Sequence, residues 1–571
     1  MAAISVELAL QLASTYQSTG QIEAAAAMYR QIVRAQPQSD VAWHQLGILA
    51  IGRGRYQEAV ELISKAVAHS PGPAASYAAL GVAQRHLQRL DEAIASYQRA
   101  LALDPNLAEA HNNLGEALAF SGRISEAIAS CQRALTLRPD YADAHNHLGL
   151  ALAQAGQHEA ALACFERALA LEPNSAAAHN NLGRAWQKIG RWTESMASFD
   201  RAIALQPAFA EAHTNRGVSL SAKAEFEPAL TAFGTAIACR ADHADAWWAM
   251  AVVNLLLGRF EEGWRQYDWR LRCRGFVSPR RELAAPRWTG EPARNQTILV
   301  HAEQGLGDTL QFLRYVPLVR KRSGAARILL ECQPELLRLL RTNKRVGVEV
   351  AAITKAESAV PPPPVDWQIP LLSVPWAVKQ IEPLEMSRPY LRADPKLRTA
   401  WRKRLGTSRI LRAGLAWAGS KSHEGDRHRS IEPERLLPLL RIAGVRLYSL
   451  QVDARGAWPV GFAKAGLLDF TGDIADFADT AALLSNLDLL ITVDTAAAHL
   501  AGALGRPVWT LLPFVPDWRW GLDREDTPWY PTMRLFRQKV AGNWDEVIQR
   551  VADELTAFIA KSAGRKSSRS P

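Results

Sequence analysis

Cysteine is scarce in this sequence: only five occur among 571 residues, and they are scattered along the chain. They are Cys131, Cys164, Cys239, Cys273 and Cys332. No two of them form a CxxC pair, and an odd, unclustered set argues against both a disulfide framework and a zinc site. We interpret Cys131 as a packing residue, because free cysteine usually behaves as a small buried side chain.

Long hydrophobic runs are also missing. No stretch of about 18 uncharged apolar residues is present, so no segment is predicted to span a membrane. The opening residues, MAAISVELALQLASTYQ, lack a basic segment followed by a continuous apolar core, so no signal peptide is predicted. We therefore expect a cytoplasmic location.

Neither sign of charge dominates the composition. The net charge is +10, with 22% charged and 48% hydrophobic residues, which is typical of a folded protein, and the length favours about three domains. The positive excess weakly indicates acidic or phosphorylated ligands, and no nucleic-acid partner is expected. Residues 563–571 are predicted to form a disordered basic tail.

An internal repeat of 34 residues occupies the first half of the chain. Its glycine column is Gly47, Gly81, Gly115, Gly149, Gly183 and Gly217, and a proline column runs in parallel from Pro37 to Pro207. Small residues let paired helices approach closely, and proline ends the second helix of each pair. This pattern resembles the tetratricopeptide repeat. It implies a right-handed superhelix over residues 1–275 with a concave face that binds peptides or proteins.

Two polar series also follow the 34-residue period. His111, His145, His179 and His213 take a position that Trp or Tyr takes in other repeats, so we interpret them as packing residues rather than metal ligands. The second series is predicted to bind a peptide backbone through its amides. It consists of Asn113, Asn146, Asn181 and Asn215. The series resembles the asparagine ladder of the O-linked N-acetylglucosamine transferases; solvated helix faces are the alternative interpretation.

The 34-residue repeat ends at about Arg270. Residues 276–296 are predicted to be a linker, and short apolar runs then alternate with helical patterns, which indicates βαβ units and parallel sheets. The predicted fold class is an α superhelix followed by α/β, with two facing Rossmann-like domains at residues 297–400 and 401–562. Ligands of such sheets bind beyond the carboxyl ends of the strands, so a cleft between the domains is the expected site.

Two predicted strand-to-helix junctions contain polar residues. In the first, Gly305 and Gly307 form a tight turn ahead of Asp308. The motif is neither a P-loop nor a dinucleotide fingerprint, and Asp308 taken alone is more simply interpreted as a helix N-cap. In the second, a buried strand leads to Asp494 and Thr495. Backbone amides at such a helix start can hold a diphosphate, while capping is again the simpler interpretation.

The second junction, DTAAAHLAGALG, and the earlier Gly-Asp resemble motifs of the heptosyltransferase-like glycosyltransferases of family nine over residues 297–560. Ala496 departs from the family's usual glycine, which leaves room for a different sugar. The resemblance implies that Asp308 is the general base and that Arg429 holds the donor phosphates. Further donor-binding residues are then expected nearby. They are Arg427, Lys421, Asp494, Thr495 and His499. A solvated charged loop remains the alternative for the basic residues.

The sequence as a whole predicts an inverting, metal-independent glycosyltransferase. A nucleotide-diphosphate sugar is its co-substrate, no cofactor or metal is expected, and the repeats recruit a protein or peptide acceptor. No DxD carboxylate pair follows a strand to suggest a metal. Two alternatives stay open: a scaffold whose transferase half binds without catalysis, and a heptosyltransferase acting on lipopolysaccharide.

Overall fold

The structure is a computed structural model that describes residues 5–68, 73–273, 275–276, 283–343, 349–352, 364–407, 410–419, 426–452 and 460–567. The chain divides into two compact units, residues 1–220 and 221–571. None of the described helices is long and apolar enough to cross a membrane.

The first half of the chain is built from antiparallel helix pairs, as the repeat predicts. The helices are α1 (Val6–Ser18), α2 (Ile22–Ala35), α3 (Asp40–Gly52), α4 (Tyr56–Ala68), α5 (Ala74–His86), α6 (Leu90–Leu103), α7 (Ala108–Phe120), α8 (Ile124–Leu137), α9 (Ala142–Gln154), α10 (His158–Leu171), α11 (Ala176–Lys188), α12 (Trp192–Leu205), α13 (Ala210–Ala222), α14 (Phe226–Cys239), α15 (Ala244–Leu256) and α16 (Phe260–Tyr267). A 3-10 turn, Asp268–Arg272, follows the last of them.

The glycine column exists because the two helices of a pair touch at that position. A Cβ added at Gly149 would lie 2.6 Å from the ring of Phe165, and one at Gly183 would lie 2.5 Å from Phe199. Cys131 takes the place of the aromatic ring in the pair that contains Gly115, and it is fully buried. The interpretation of Cys131 as a packing residue is confirmed.

The histidine series orders the turn that precedes each pair. His111, His145, His179 and His213 each place Nε2 within 2.9–3.1 Å of the carbonyl of the proline six residues earlier. At the same position the indole N–H of Trp43 donates to the Pro37 carbonyl at 2.7 Å. The imidazole N–H therefore replaces an indole N–H, and the packing interpretation is confirmed.

The remainder of the second unit is α/β. Its strands are β1 (Thr297–His301), β2 (Arg327–Cys332), β3 (Glu349–Ala352), β4 (Trp367–Pro370), β5 (Leu411–Ala416), β6 (Val445–Ser449), β7 (Leu468–Asp469), β8 (Leu489–Val493), β9 (Val508–Leu512) and β10 (Met533–Arg537). Its helices are α17 (Leu306–Phe312), α18 (Val316–Ser323), α19 (Pro334–Thr342), α20 (Val374–Ala377), α21 (Pro395–Leu405), α22 (Asp426–Arg429), α23 (Leu437–Leu440), α24 (Val460–Lys464), α25 (Phe477–Leu484), α26 (Ala496–Ala503) and α27 (Trp544–Ser567).

The strands form two parallel sheets, which confirms the predicted fold class. The first has the order β3-β2-β1-β4 and the second the order β10-β9-β8-β5-β6-β7. In the first sheet Val300 pairs with Leu330 on one side and Ile369 on the other. Most strands coincide with the apolar runs of the sequence. Strands β4 and β7 do not, because they have only four and two residues, and β10 does not, because arginines alternate with its apolar residues.

The last repeat helices share a hydrophobic core with the first sheet. Leu255, Trp264 and Tyr267 belong to one cluster with Ile298 and Val300 of β1. The segment predicted to be a linker joins this core in its described part: Trp288 is fully buried, and its backbone N–H donates to the Gln368 carbonyl of β4 at 2.8 Å. The predicted domain limits at residues 275, 296, 400 and 562 stay predictions.

Candidate active site

Each sheet reverses its strand order once, and polar residues lie at both reversals. In the first sheet β1 is flanked by β2 and β4; in the second, β5 is flanked by β6 and β8. Ligands of open α/β sheets bind at such points, beyond the carboxyl ends of the strands. Asp308 follows β1, Arg429 follows β5, and Asp494 follows β8.

The two junctions face each other through their helices. α17, which carries Asp308, packs against α26, which begins after Thr495. Gly307 permits this approach, because an added Cβ would lie 2.8 Å from the imidazole Cδ2 of His499 and 3.5 Å from the Cα of Ala496. The structure therefore brings together residues that lie almost 200 positions apart in the sequence.

Asp308 uses both carboxylate oxygens. Oδ2 accepts the Gly305 N–H at 2.9 Å, which closes the turn at the start of α17, and Oδ1 forms an ion pair with Arg519. The capping alternative is thus a real part of its role. The side chain remains about one-fifth exposed, so a ligand can approach it.

Arg519 was not singled out from the sequence. Its guanidinium contacts Asp308, donates to Asp517 Oδ1 at 2.8 Å and to Gln311 Oε1 at 2.6 Å, and lies 4.6 Å from the ring centre of Trp518. Burial would lower the pKa of Arg519, but the carboxylates of Asp517 and Asp308 outweigh it and raise that pKa, so the side chain is charged. The sequence signal that could have indicated Arg519 is its position between Trp518 and Trp520.

Asp494 is the carboxylate whose ionisation the site disfavours. Burial and the nearby Asp517 carboxylate raise the pKa of Asp494 to about 6, against the opposing effect of Arg429 and Arg519. Its neighbour Thr495 places Oγ1 3.0 Å from the Thr492 hydroxyl. The surroundings of Asp494 therefore favour its protonated form more than water does.

His499 is a neutral, buried side chain. Its Nδ1 lies 3.0 Å from the Tyr530 hydroxyl, and its ring stacks on Trp520 with 5.3 Å between ring centres. Burial, followed by the positive charges of Arg519 and two other arginines, holds the pKa of His499 well below its usual value. His499 thus packs against Trp520 and Tyr530. Its predicted contact with the donor stays a prediction.

Arg429 lies on α22 and is mostly buried, with its side chain 19% exposed. Its Nε donates to Asp426 Oδ1 at 3.1 Å, and Gly419, which follows β5, leaves room for both side chains. Its charge acts on Asp494 and His499. The solvated-loop alternative is therefore wrong for Arg429. Lys421 and the side chain of Arg427 lie outside the described residues.

The aromatic residues after β9 form core. Trp518, Trp520, Trp529 and Tyr530 are each at most 3% exposed. Trp264 of α16 meets Trp518 edge to face at 5.4 Å between ring centres. These four side chains therefore pack in the protein interior.

The asparagine series of the first unit forms bonds between repeats. Asn181 Nδ2 donates to Asn146 Oδ1 at 3.0 Å, and Asn215 Nδ2 donates to Asn180 Oδ1 at 2.9 Å. All four predicted members, Asn113 included, are half-buried. These side chains are therefore less exposed than those of a solvated helix face would be. Each pair uses one donor hydrogen and one acceptor oxygen, and an amide offers more of both.

Segments in both halves of the chain match known families. Residues 10–72 match the family described as tetratricopeptide repeat, and residues 85–119, 121–156 and 149–190 match that described as TPR repeat. Residues 475–529 match glycosyltransferase family 9 (heptosyltransferase), and this segment contains Asp494, His499 and Arg519. The chain thus carries tetratricopeptide repeats and a family 9 glycosyltransferase segment, as predicted.

The chain is also similar to individual known proteins. The chain is 30% identical over 337 residues to Protein FlbA of Caulobacter vibrioides, covering 55% of each chain. It therefore spans about half the length of this curated relative. Two similar solved structures are each 27% identical to this chain. The match to MamA covers 29% of this chain and 96% of that chain, with a TM-score of 0.26. The match to YrrB, a TPR protein with an unusual peptide-binding site, covers 33% of this chain and 98% of that chain, with a TM-score of 0.27.

The raised pKa of Asp494 predicts the effect of removing its charge. Asp494→Asn should increase the free energy of unfolding at pH 7 by about 1–3 kcal/mol, because a shift of roughly two pKa units corresponds to at most ~3 kcal/mol. The native state holds the proton more tightly than the unfolded chain. The stabilising contribution is therefore complete below about pH 4 and is lost as the pH rises through about 6.

Urea unfolding of both proteins at pH 5 and pH 7 measures this effect. The wild type should gain stability at the lower pH relative to Asp494→Asn. A variant that is less stable than the wild type at pH 7 would show that Arg429 and Arg519 favour the carboxylate more strongly than burial disfavours it.

Proposed function

We propose that the protein is a glycosyltransferase that moves a sugar from a nucleotide-diphosphate donor to an acceptor hydroxyl, and that its repeats recruit a protein or peptide acceptor. The observation that carries this proposal is the meeting of the two junctions through α17 and α26, where the charge of Arg429 acts on Asp494 and His499. The family 9 match over residues 475–529 supports it.

The geometry suggests how the residues divide the reaction. The acceptor hydroxyl attacks the anomeric carbon, and the bond from that carbon to the diphosphate oxygen breaks. Asp308 takes the hydroxyl proton, and Arg429 stabilises the departing diphosphate together with the backbone amides after Thr495. A single displacement of this kind inverts the anomeric carbon, and the arginines supply positive charge to the leaving group.

Arg519 holds Asp308 in place for this mechanism. Its ion pair with Oδ1 and the Gly305 N–H bond to Oδ2 together fix the orientation of the carboxylate. Asp494, by contrast, lies beside Arg429 and is only weakly acidic, which suits a contact with sugar hydroxyls. The two carboxylates thus differ in environment and, we propose, in role.

The proposed acceptor function rests on the first unit. The Asn146–Asn181 and Asn180–Asn215 pairs form a row of amides that runs from repeat to repeat. Such a row can bond the backbone of an extended peptide without reading its side chains. An acceptor presented on a peptide would explain the fusion of repeats to a transferase better than a lipopolysaccharide acceptor would.

One experiment tests the proposal directly. The full chain is mixed with a panel of sugar nucleotides, thermal shift reports binding, and release of the nucleoside diphosphate reports turnover. Binding of at least one donor followed by its turnover supports the transferase. Binding without turnover, with any acceptor or with water, favours the non-catalytic scaffold, and the absence of all binding contradicts the proposal.

Arg429→Ala is expected to weaken donor binding by about 1.5–3 kcal/mol, the range for hydrogen bonds to charged groups. Titration of the donor followed by calorimetry measures this loss. Arg435→Ala is the matched control, because Arg435 lies close by in sequence but pairs on the surface with Glu432 and Asp545. Equal affinities of the two variants would remove Arg429 from the donor site.

A further inference from the structure

The last repeat is connected, through intervening residues, to the two groups that bind Asp308, the Gly305 N–H and the Arg519 guanidinium. Helix α16 contributes Trp264 and Tyr267, and the 3-10 turn after it contributes Arg270. Two separate sets of contacts lead from these residues to the candidate active site. One is polar and reaches the loop after β1; the other is aromatic and reaches Arg519.

The polar contacts begin at Arg270, which is fully buried. One terminal nitrogen donates to Glu303 Oε1 at 2.6 Å and to Ser373 Oγ at 3.0 Å, and the other donates to Asp268 Oδ1 at 2.9 Å. Burial would lower the pKa of Arg270, but the carboxylates of Glu303 and Asp268 outweigh it. Arg270 is therefore a charged anchor inside the protein.

Glu303 connects Arg270 to the loop that carries Asp308. Its carboxylate accepts the backbone N–H of Leu371 at 3.0 Å and of Leu372 at 3.2 Å, so it joins the ends of β1 and β4. Two residues later, the Gly305 N–H bonds to Asp308. The loop that presents Asp308 is thus fixed between the repeat turn and β4.

The aromatic contacts fix the partner of Asp308. Trp264 meets Trp518 at 5.4 Å and Phe312 at 5.9 Å between ring centres, in both cases edge to face. Tyr267 meets Trp518 at 6.1 Å. The face of Trp518 in turn carries the Arg519 guanidinium at 4.6 Å.

We infer that Trp264, Tyr267 and Arg270 are positioning residues of the transferase site, so that the last repeat is part of the catalytic apparatus as well as the end of the repeat array. This inference rests on the proposed function. It predicts that disturbing the last repeat changes the rate of transfer more than the affinity for the donor. The reason is that these contacts reach the Asp308 side of the site, while Arg429 and Thr495 are held by the second sheet.

The test compares two conservative variants of the full chain. Arg270→Lys keeps the charge but lacks the planar fork that reaches several acceptors at once. Arg259→Lys is the matched control, because Arg259 lies in the same repeat and forms a half-exposed surface pair with Glu227. Hydrogen–deuterium exchange of residues 302–310 and 371–373 is measured in both, together with kcat and the donor KM.

Arg270→Lys should exchange these amides about 10-fold faster or more than Arg259→Lys, since their hydrogen bonds depend on a fixed loop. Its kcat should fall by about 10–100-fold, the effect of a small misplacement of a catalytic group, with the donor KM within about threefold. Equal exchange in the two variants would overturn the inference, as would a raised donor KM at unchanged kcat.

Two further arms keep the outcome decisive. If Arg270→Lys does not fold, Glu303→Gln replaces it, because glutamine keeps the size of the side chain but loses the charge and one of the two acceptor oxygens. If the wild type turns over no sugar nucleotide, the proposed function fails, while the exchange comparison still decides whether the last repeat positions the loop.

Discussion

Asp308→Asn is expected to lower turnover by about 10²–10⁴-fold while donor binding survives, because general-base catalysis is typically worth that factor. Asparagine keeps the size of the side chain and can still accept the Gly305 N–H. The proton acceptor for the attacking hydroxyl is lost. Single-turnover kinetics with saturating donor separates the chemical step from binding.

The substitution should also lower the stability of the protein, because it breaks the ion pair between Asp308 and Arg519. The sequence did not indicate this pair. Arg519 is nearly buried and keeps Asp517 and Gln311 as partners when Asp308 is neutralised. The free energy of unfolding of Asp308→Asn should therefore fall by about 1–3 kcal/mol, the range for a lost bond to a charged group. Rates must accordingly be compared at a temperature where both proteins are folded.

Asp517→Asn is the matched control for this prediction. It also removes one carboxylate from Arg519, whose contact with Asp517 measures 2.8 Å, but it removes no group proposed to take the proton. Its turnover should stay well above that of Asp308→Asn. Equal losses in the two variants would mean that both act through Arg519, and Asp308 would then not be the base.

The repeats could be predicted almost residue by residue because their information is local and periodic. A glycine that faces a side chain 16 residues later, as Gly149 faces Phe165, recurs along the repeats, with Ile63 or Cys131 in place of the ring in two of them. The same holds for the parallel sheets, since most of their strands are continuous apolar runs. β4 and β7 were missed because strands of four and two residues carry too little pattern.

The candidate site could be predicted only in part. Asp308 and Asp494 follow strands that the sequence makes visible, and both were identified. Arg519 was not, because it lies 211 residues from Asp308 along the chain and its function depends on a contact that only the tertiary fold creates. The same reason applies to Arg270 and Glu303, which lie 33 residues apart and pair only in the folded chain.

Removal of the last repeat is expected to unfold the catalytic half. A fragment of residues 276–571 lacks Trp264, Tyr267 and Arg270, whereas a fragment of residues 221–571 keeps them. Loss of a buried tryptophan typically costs about 3–5 kcal/mol. An unpaired buried charge, here Glu303, costs about 3–5 kcal/mol more. Together these losses approach the whole stability of a typical domain, about 5–15 kcal/mol.

The two fragments should therefore behave differently from the start. Residues 221–571 should be recovered in soluble form, show a strong near-ultraviolet circular dichroism signal from the packed tryptophans and unfold in a cooperative transition. Residues 276–571 should lose that signal or aggregate. Equally cooperative unfolding of both fragments would mean that the shared core of Leu255, Trp264 and Tyr267 contributes little, and that the last repeat is separable from the α/β region after all.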